Sequence, residues 1–180
     1  MPLRVIGGEL GGRNLKGPPR SGVRPTTDRV REALFEILGT RVEGARVLDL
    51  YSGTGAVGIE ALSRGAEHCD FVEADSKACE VVRENLTRTA LLDRGRLYPL
   101  TVARAMARLQ GPYELVVADP PYEYDRAESE LSEVISRGLL AEDGTLVVEH
   151  SQRHVWPQSL AGRAQLTSRR YGDTRLTLYR

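Results

Sequence analysis

Hydrophobic and polar positions follow two different periods along the chain after residue 45. Short apolar runs typical of buried strands are separated by segments whose apolar residues recur every three to four positions, as on one face of a helix. The predicted strands are Arg46–Leu50, Cys69–Glu73, Arg96–Leu100, Leu115–Asp119 and Thr145–Glu149. The predicted helices are Ala56–Arg64, Lys77–Thr89, Arg104–Gln110 and Ala127–Arg137. Strands that alternate with such helices predict parallel β-α-β units and a doubly wound α/β sheet.

The two ends of the chain depart from this alternation. Arg163–Tyr171 and Thr174–Tyr179 are strand-like and are joined by a glycine turn, which predicts an antiparallel hairpin at the end of the sheet. Short apolar runs between glycines predict a small β-hairpin extension over residues 1–24. A helical pattern then spans residues 26–39, so we predict one main domain over residues 25–180 with this helix packed on it.

Composition narrows the class of protein without identifying it. The chain has 180 residues, of which 41% are hydrophobic and 28% charged, as in an ordinary globular domain. Two cysteines, Cys69 and Cys79, exclude a disulfide scaffold and a structural zinc site, and His68, His150 and His154 lack metal-ligand spacing. The sequence shows neither an apolar leader nor a membrane-length apolar run. We therefore expect a cytoplasmic monomer that binds no metal and no membrane.

Charge is balanced overall but unevenly distributed. Residues 1–31 carry a net charge of +5, residues 32–161 carry −9 and residues 162–180 carry +4. Basic ends around an acidic middle suit a surface that binds a polyanion. The alternative is a solvated surface that binds nothing.

A glycine-rich loop follows the first predicted strand. Gly53, Gly55 and Gly58 match the G-x-G-x-x-G pattern of turns that admit a nucleotide close to the backbone. Glu73, at the end of the second strand, is placed to accept hydrogen bonds from two ribose hydroxyls. Asp49 argues against the pyrophosphate of NAD and suits the sulfonium and ammonium groups of S-adenosylmethionine. A strand–turn–helix corner without a ligand is the alternative.

The fourth predicted strand ends in Asp119-Pro120-Pro121-Tyr122. The two prolines remove backbone donors, so the Asp119 carboxylate and the Pro120 carbonyl are left as acceptors beside an aromatic ring. Such a site suits a planar group with an exocyclic amine. Two hydrogen bonds would free the amine lone pair for in-line methyl transfer, in which positioning supplies much of the rate. A turn that merely ends the strand is the alternative.

Together, the two motifs resemble those of the class I S-adenosylmethionine-dependent amino-group methyltransferases, whose Rossmann-like seven-stranded sheet ends in a reversed strand. The chain also resembles the RsmD family in Arg4–Gly8, Arg24–Phe35 and Leu48–Gly65. That family methylates N2 of a guanine in bacterial small-subunit ribosomal RNA. The resemblance therefore implies S-adenosylmethionine as cofactor, S-adenosylhomocysteine as its product, and 16S rRNA as partner within an assembling or assembled small ribosomal subunit.

The resemblance also implies roles for individual residues. Those expected to hold the methyl donor are Asp49, Tyr51, Ser52, Gly53, Gly55, Glu73, Ala74, Arg104, Ala105 and Thr26. Those expected to hold the guanine, which must be flipped out of any duplex, are Asp119, Pro120, Pro121 and Tyr122. Our candidates for further RNA contacts are Arg13, Lys16, Arg20, Arg24, Tyr124 and Arg126. Many relatives carry Asp or Asn where Arg104 stands, so backbone amides are an alternative adenine contact. Thr26 is equally well explained as part of a helix cap.

Other functions stay open at this level. The Asp119 tetrapeptide also permits N6-adenine methylation of RNA or DNA. A catalytically silent RNA-binding assembly factor is a second alternative, although the intact motifs argue against it. A nicotinamide oxidoreductase is disfavoured by Asp49, and protein glutamine methylation by Asp119, since such enzymes usually carry Asn there. Trp156 is expected to serve in packing.

Overall fold

The computed structural model describes residues 2–19 and 27–180. The strands in this part of the chain are β1 (Arg46–Leu50), β2 (His68–Val72), β3 (Gly95–Tyr98), β4 (Tyr113–Ala118), β5 (Leu140–Ser151), β6 (Ser159–Leu160), β7 (Arg163–Tyr171) and β8 (Thr174–Tyr179). The helices are α1 (Asp28–Leu38), α2 (Ala56–Ser63), α3 (Ser76–Arg88), α4 (Val102–Ala105) and α5 (Ala127–Ser136). A short 3-10 helix, Gly39–Val42, follows α1.

The strands form one sheet in the order β3-β2-β1-β4-β5-β8-β7-β6. Strands β1 to β5 pair in parallel, whereas β8 lies antiparallel between β5 and β7. This confirms the predicted doubly wound, mostly parallel sheet with a C-terminal antiparallel hairpin. The carboxyl ends of β1, β2 and β4 therefore meet at one edge, which is where ligands bind in such sheets.

Three elements differ from the predictions. The helix predicted at Arg104–Gln110 is wrong, since α4 spans Val102–Ala105. It begins at Val102 because the side chain of Thr101, the N-cap residue, accepts a hydrogen bond from the Arg104 amide. Strand β5 is longer than the predicted Thr145–Glu149, because it also pairs with β4 at Leu140 and with β8 as far as Ser151. Strand β6 is an eighth strand in place of the seven expected, and two residues are too few to show a periodic pattern.

Apolar side chains cover both faces of the sheet. Successive strand residues point to opposite faces, so Val47 belongs to one hydrophobic cluster and Leu48 to the other. Burial on both faces explains why the central strands are apolar runs rather than alternating ones. Trp156 belongs to the second cluster, which confirms that it packs in the core. No helix in the described ranges is both long and apolar enough to span a bilayer.

The N-terminal segment folds back on itself but is not a regular hairpin, since Arg4 and Asn14 form only an isolated antiparallel bridge. Its backbone is held by polar side chains of the helices. The buried carboxylate of Glu60 on α2 accepts hydrogen bonds from the backbone amides of Ile6 and Gly7, both with a nitrogen–oxygen distance of 2.8 Å. Asn85 of α3 accepts the Lys16 amide at 2.7 Å and donates to the Lys16 carbonyl. The extension therefore packs closely against the main domain.

Candidate active site

Asp49 lies near the end of β1, with only 3% of its surface exposed. Its Oδ2 accepts a hydrogen bond from the Gly58 amide in α2 at 3.0 Å. Burial raises the pKa of Asp49 to about 8, and the nearby Glu73 carboxylate adds to this, while the Gly58 hydrogen bond opposes it. A buried carboxyl of this kind holds its proton near neutral pH, unless a cation joins it.

The glycine loop leaves open space next to this carboxyl. Gly53 and Gly55 have φ values of +56° and +76°, which glycine adopts without strain. No atom lies within 4 Å of the place that a Cβ on Gly53 would occupy. At Gly58, by contrast, a Cβ would lie 2.3 Å from the Phe71 ring, so glycine there permits close packing of helix on strand. The loop thus forms an open cradle at Gly53, where a bound group can approach the backbone closely.

Glu73 follows β2 and bounds this space on a second side. Its Oε2 accepts the Gly53 amide and its Oε1 accepts the Asp75 amide, each at 2.8 Å. A carboxylate has about four lone-pair positions, so it can accept further donors such as two ribose hydroxyls. Ser52 closes the turn by donating from Oγ to the Asp49 carbonyl at 2.6 Å. Ala74 is exposed directly after Glu73.

The other residues predicted to contact the methyl donor lie in different surroundings from one another. Tyr51 adopts φ +57°, uncommon for a residue with a side chain, and its hydroxyl bonds to α5. Arg104 is exposed on α4, whereas Ala105 is fully buried in the second hydrophobic cluster. The Ala105 side chain therefore belongs to the core. Thr26 lies outside the described residues.

The Asp119 tetrapeptide lies at the end of β4, next to the glycine loop. The Asp119 amide donates to the Leu50 carbonyl of β1 at 3.4 Å, which ties the two strand ends together. Pro120 is buried, while Pro121 is exposed. Tyr122 is 49% exposed, and its hydroxyl lies 3.1 Å from the Thr174 hydroxyl at the start of β8. The hydroxyl is thereby anchored while much of the ring remains open to solvent.

A cavity adjoins this tetrapeptide, and its lining includes Tyr122, Tyr124, His150 and Trp156. His150 bonds through Nε2 to the Thr177 hydroxyl at 2.8 Å, and burial lowers the pKa of its imidazole. Trp156 is 5% exposed, and its indole nitrogen has no hydrogen-bond partner among the described residues. A buried donor without an acceptor is costly, and this nitrogen is itself enclosed by protein atoms.

Glu130 is a site residue that the sequence analysis missed. Its buried carboxylate accepts hydrogen bonds from Tyr51 at 2.6 Å and from Tyr124 at 2.8 Å. Burial and this carboxylate raise the pKa of both tyrosines, so both hydroxyls act as donors. The available signal was its spacing, since Glu130 lies three residues after Ala127 and four before Val134 on the apolar face of α5. A charged residue at such a position requires partners.

The RNA-contact candidates are dispersed. Arg13 donates to the Arg88 carbonyl at 3.2 Å, and Lys16 forms an ion pair with Glu84 at 2.5 Å. Tyr124 is half-buried and bonded to Glu130, whereas Arg126 is exposed just before α5. Arg20 and Arg24 lie outside the described residues. No group of three His, Cys, Asp or Glu side chains that would suit a metal ion occurs in residues 2–19 and 27–180.

The chain is similar to known proteins over nearly its whole length. The family model described as "Conserved hypothetical protein 95" matches residues 3–180. The putative rRNA methyltransferase YlbH of Bacillus subtilis is 36% identical over an alignment of 181 positions, which covers 99% of this chain and 98% of that relative. Ribosomal RNA small subunit methyltransferase D of Escherichia coli is 35% identical over 147 residues, 82% of this chain and 74% of that relative. The solved structure of Escherichia coli yhhF superposes with a TM-score of 0.88 at 32% identity, covering 99% and 97% of the two chains.

Proposed function

Because the chain belongs to the conserved hypothetical protein 95 family, also called the RsmD family, we propose that it methylates N2 of a guanine in small-subunit 16S rRNA. S-adenosylmethionine is the proposed methyl donor. One observation carries the proposal: a cradle suited to this donor and a tip that presents hydrogen-bond acceptors lie at adjacent strand ends, joined by the 3.4 Å contact between Asp119 and Leu50. The name of the Escherichia coli relative supports rRNA as the substrate.

Two carboxyl groups of the donor cradle would bind different parts of the cofactor. S-adenosylmethionine, when bound, supplies a methyl group on a sulfonium. Glu73 would accept the ribose hydroxyls with the lone pairs that the Gly53 and Asp75 amides leave unused. Asp49 would face the cationic methionine end, where the positive charge favours its ionised form. Gly53 would leave the space that the ligand occupies.

The Asp119 tetrapeptide would bind the base that accepts the methyl group. The Asp119 carboxylate and the Pro120 carbonyl would each accept one hydrogen bond from the guanine amine, which draws the nitrogen lone pair out of the ring. Tyr122 would stack on the base, as exposed aromatic rings do with unstacked nucleotides. When the methyl group passes from the sulfonium to the nitrogen, S-adenosylhomocysteine would be the leaving group, and the amine would lose the proton that is hydrogen-bonded to Asp119. No covalent bond to the enzyme forms.

The accessibility of the target guanine limits which form of the RNA the enzyme can act on. A guanine amine within paired RNA is inaccessible, so the target must lie in a loop or be flipped out. We place the enzyme in the cytoplasm, acting as a monomer on rRNA within an assembling or assembled small subunit. N6-adenine methylation remains the alternative chemistry, because the acceptors of the tip accept either amine.

The test is transfer of labelled methyl from S-adenosylmethionine to small subunits and to naked rRNA from a strain lacking the gene. Asp119→Ala is the inactive variant, and Asp143→Ala, which removes an exposed carboxylate outside the cavity, is the matched control. We expect label on one guanine N2 with wild type and Asp143→Ala but not with Asp119→Ala. Label on adenine would show that adenine, and not guanine, is the substrate. Donor binding with no label on any RNA would favour the silent assembly factor.

A further inference from the structure

Two arginines face each other across the C-terminal hairpin. Arg170 of β7 is directly opposite Arg175 of β8, and Arg175 is in turn opposite His150 of β5. Directly opposite residues on antiparallel strands project from the same face of the sheet. The two arginines and the imidazole therefore form one row across three strands. Like charges in such a pair repel each other, so this arrangement reduces the stability of the hairpin.

No acidic side chain of the described residues compensates the two charges. Within these ranges, neither arginine has a carboxylate within ion-pair distance, although nine other ion pairs occur there. Arg170 Nε donates to the Gly172 carbonyl at 2.8 Å. Arg175 Nη1 donates to the carbonyl and the hydroxyl of Ser168, both at 3.2 Å. These bonds turn the two guanidinium groups toward opposite ends of β7, with Arg170 toward the hairpin turn and Arg175 toward Ser168, and leave further N–H donors on each, since an arginine carries five.

The arginine row adjoins the methyl-accepting tip. Thr174, next to Arg175 in the chain, bonds to the hydroxyl of Tyr122 at 3.1 Å. His150, opposite Arg175, lines the cavity that Tyr122 also lines. Phosphates held by the two arginines would thus lie at the same end of the sheet as Tyr122, although Arg175 and Thr174 project from opposite faces of β8. The N-terminal candidate Lys16 is different, because Glu84 already pairs with its charge.

We propose that Arg170 and Arg175 bind backbone phosphates of the RNA along the hairpin, near the nucleotide whose base enters the site. This inference rests on the proposed function. Guanidinium groups bind phosphate through paired N–H donors, and bound phosphates would offset the repulsion between the two like charges. Phosphate contacts position a nucleic acid without reading its sequence. The arginine pair would therefore set where the target nucleotide lies relative to Asp119.

The test compares Arg170→Gln, Arg175→Gln and the double variant with Arg169→Gln. Arg169 is the matched control because it is exposed on the same strand but projects from the opposite face. Affinity for naked 16S rRNA would be measured over a series of KCl concentrations, together with affinity for S-adenosylmethionine. We expect each single variant to bind RNA about tenfold more weakly. The slope of log affinity against log salt should shrink by about 0.7–0.9 for each phosphate that a variant no longer neutralises.

Donor affinity should stay unchanged in every variant, which would show that the site remains folded. Arg170→Lys and Arg175→Lys should restore the salt slope with only part of the affinity, because lysine keeps the charge without the fork. Variants that bind like Arg169→Gln, or that bind more weakly with an unchanged salt slope, would overturn the phosphate site alone. A wild-type protein that binds donor but neither binds nor methylates rRNA would overturn the proposed function, and the phosphate site with it.

Discussion

The Tyr51 hydroxyl donates a hydrogen bond to the Glu130 carboxylate at 2.6 Å, although 79 residues separate them in the chain. The other Glu130 oxygen accepts from Tyr124, whose ring meets Tyr51 edge-on with 5.9 Å between centroids. One buried carboxylate thus joins the loop that would hold the donor to the segment that follows the catalytic tip. This contact therefore ties together the two segments that flank the candidate site.

Replacing Glu130 with Ala should therefore lower stability and loosen the site. A buried hydrogen bond that involves a charged group contributes about 1.5–3 kcal/mol, so we expect the free energy of unfolding to fall by about 2 kcal/mol or more. Urea unfolding measures this. Glu133→Ala, on the exposed side of the same helix, should change stability by no more than about 0.5 kcal/mol. Additive losses in a Tyr51→Phe, Glu130→Ala double-mutant cycle would contradict the proposed linkage.

The buried carboxyl of Asp49 should make stability depend on pH. Its pKa is about 8 in the folded protein against 3.8 for an ordinary aspartate, so between these values the folded state holds a proton that the unfolded state has released. The free energy of unfolding contributed by this group is therefore largest at low pH and is lost as pH rises towards about 8. Urea unfolding across this range, with donor absent, should show the decline in wild type and a flatter profile in Asp49→Asn. Parallel profiles for the two proteins would contradict the raised pKa.

The helical glycine at position 58 should not tolerate a methyl group. Alanine favours a helix over glycine by about 1 kcal/mol, but a Cβ here would lie 2.3 Å from Phe71 and 2.7 Å from the Cys69 sulfur. Overlap with core side chains should dominate and destabilise Gly58→Ala by about 1–3 kcal/mol. Thermal unfolding checks this, and adding Phe71→Leu should recover part of the loss. A Gly58→Ala protein as stable as wild type would contradict the tight packing.

The ring and the hydroxyl of Tyr122 should have separable effects. The hydroxyl contacts Thr174, while the exposed ring is the surface on which we expect the base to stack. Tyr122→Ala should lose about 1–3 kcal/mol of stacking, seen as a KM for RNA raised about tenfold or more. Tyr122→Phe keeps the ring, so its KM should change only a few-fold, and Thr174→Val should match it. Equal losses in the Phe and Ala variants would assign the effect to the hydroxyl instead.

Local patterns of residues were enough to predict most of the architecture. Apolar periods of two kinds placed the parallel strands and four of the five helices, and the Gly172 turn predicted the C-terminal hairpin correctly. The glycine loop after β1 and the Asp119 tetrapeptide after β4 could be located because their chemistry is carried by consecutive residues. Their proximity followed from the rule that carboxyl ends of neighbouring parallel strands share one edge.

Contacts between distant residues were decided by the tertiary structure alone. Glu130 belongs to the site only because α5 packs where two tyrosines can reach it, and Arg170 faces Arg175 only in the register that the hairpin adopts. The short helix α4 was misplaced because the Thr101 cap sets its start more strongly than its weak apolar period. Periodicity reports which face of an element is buried. It does not report which partner covers that face, because packing and strand register arise from interactions across the whole chain.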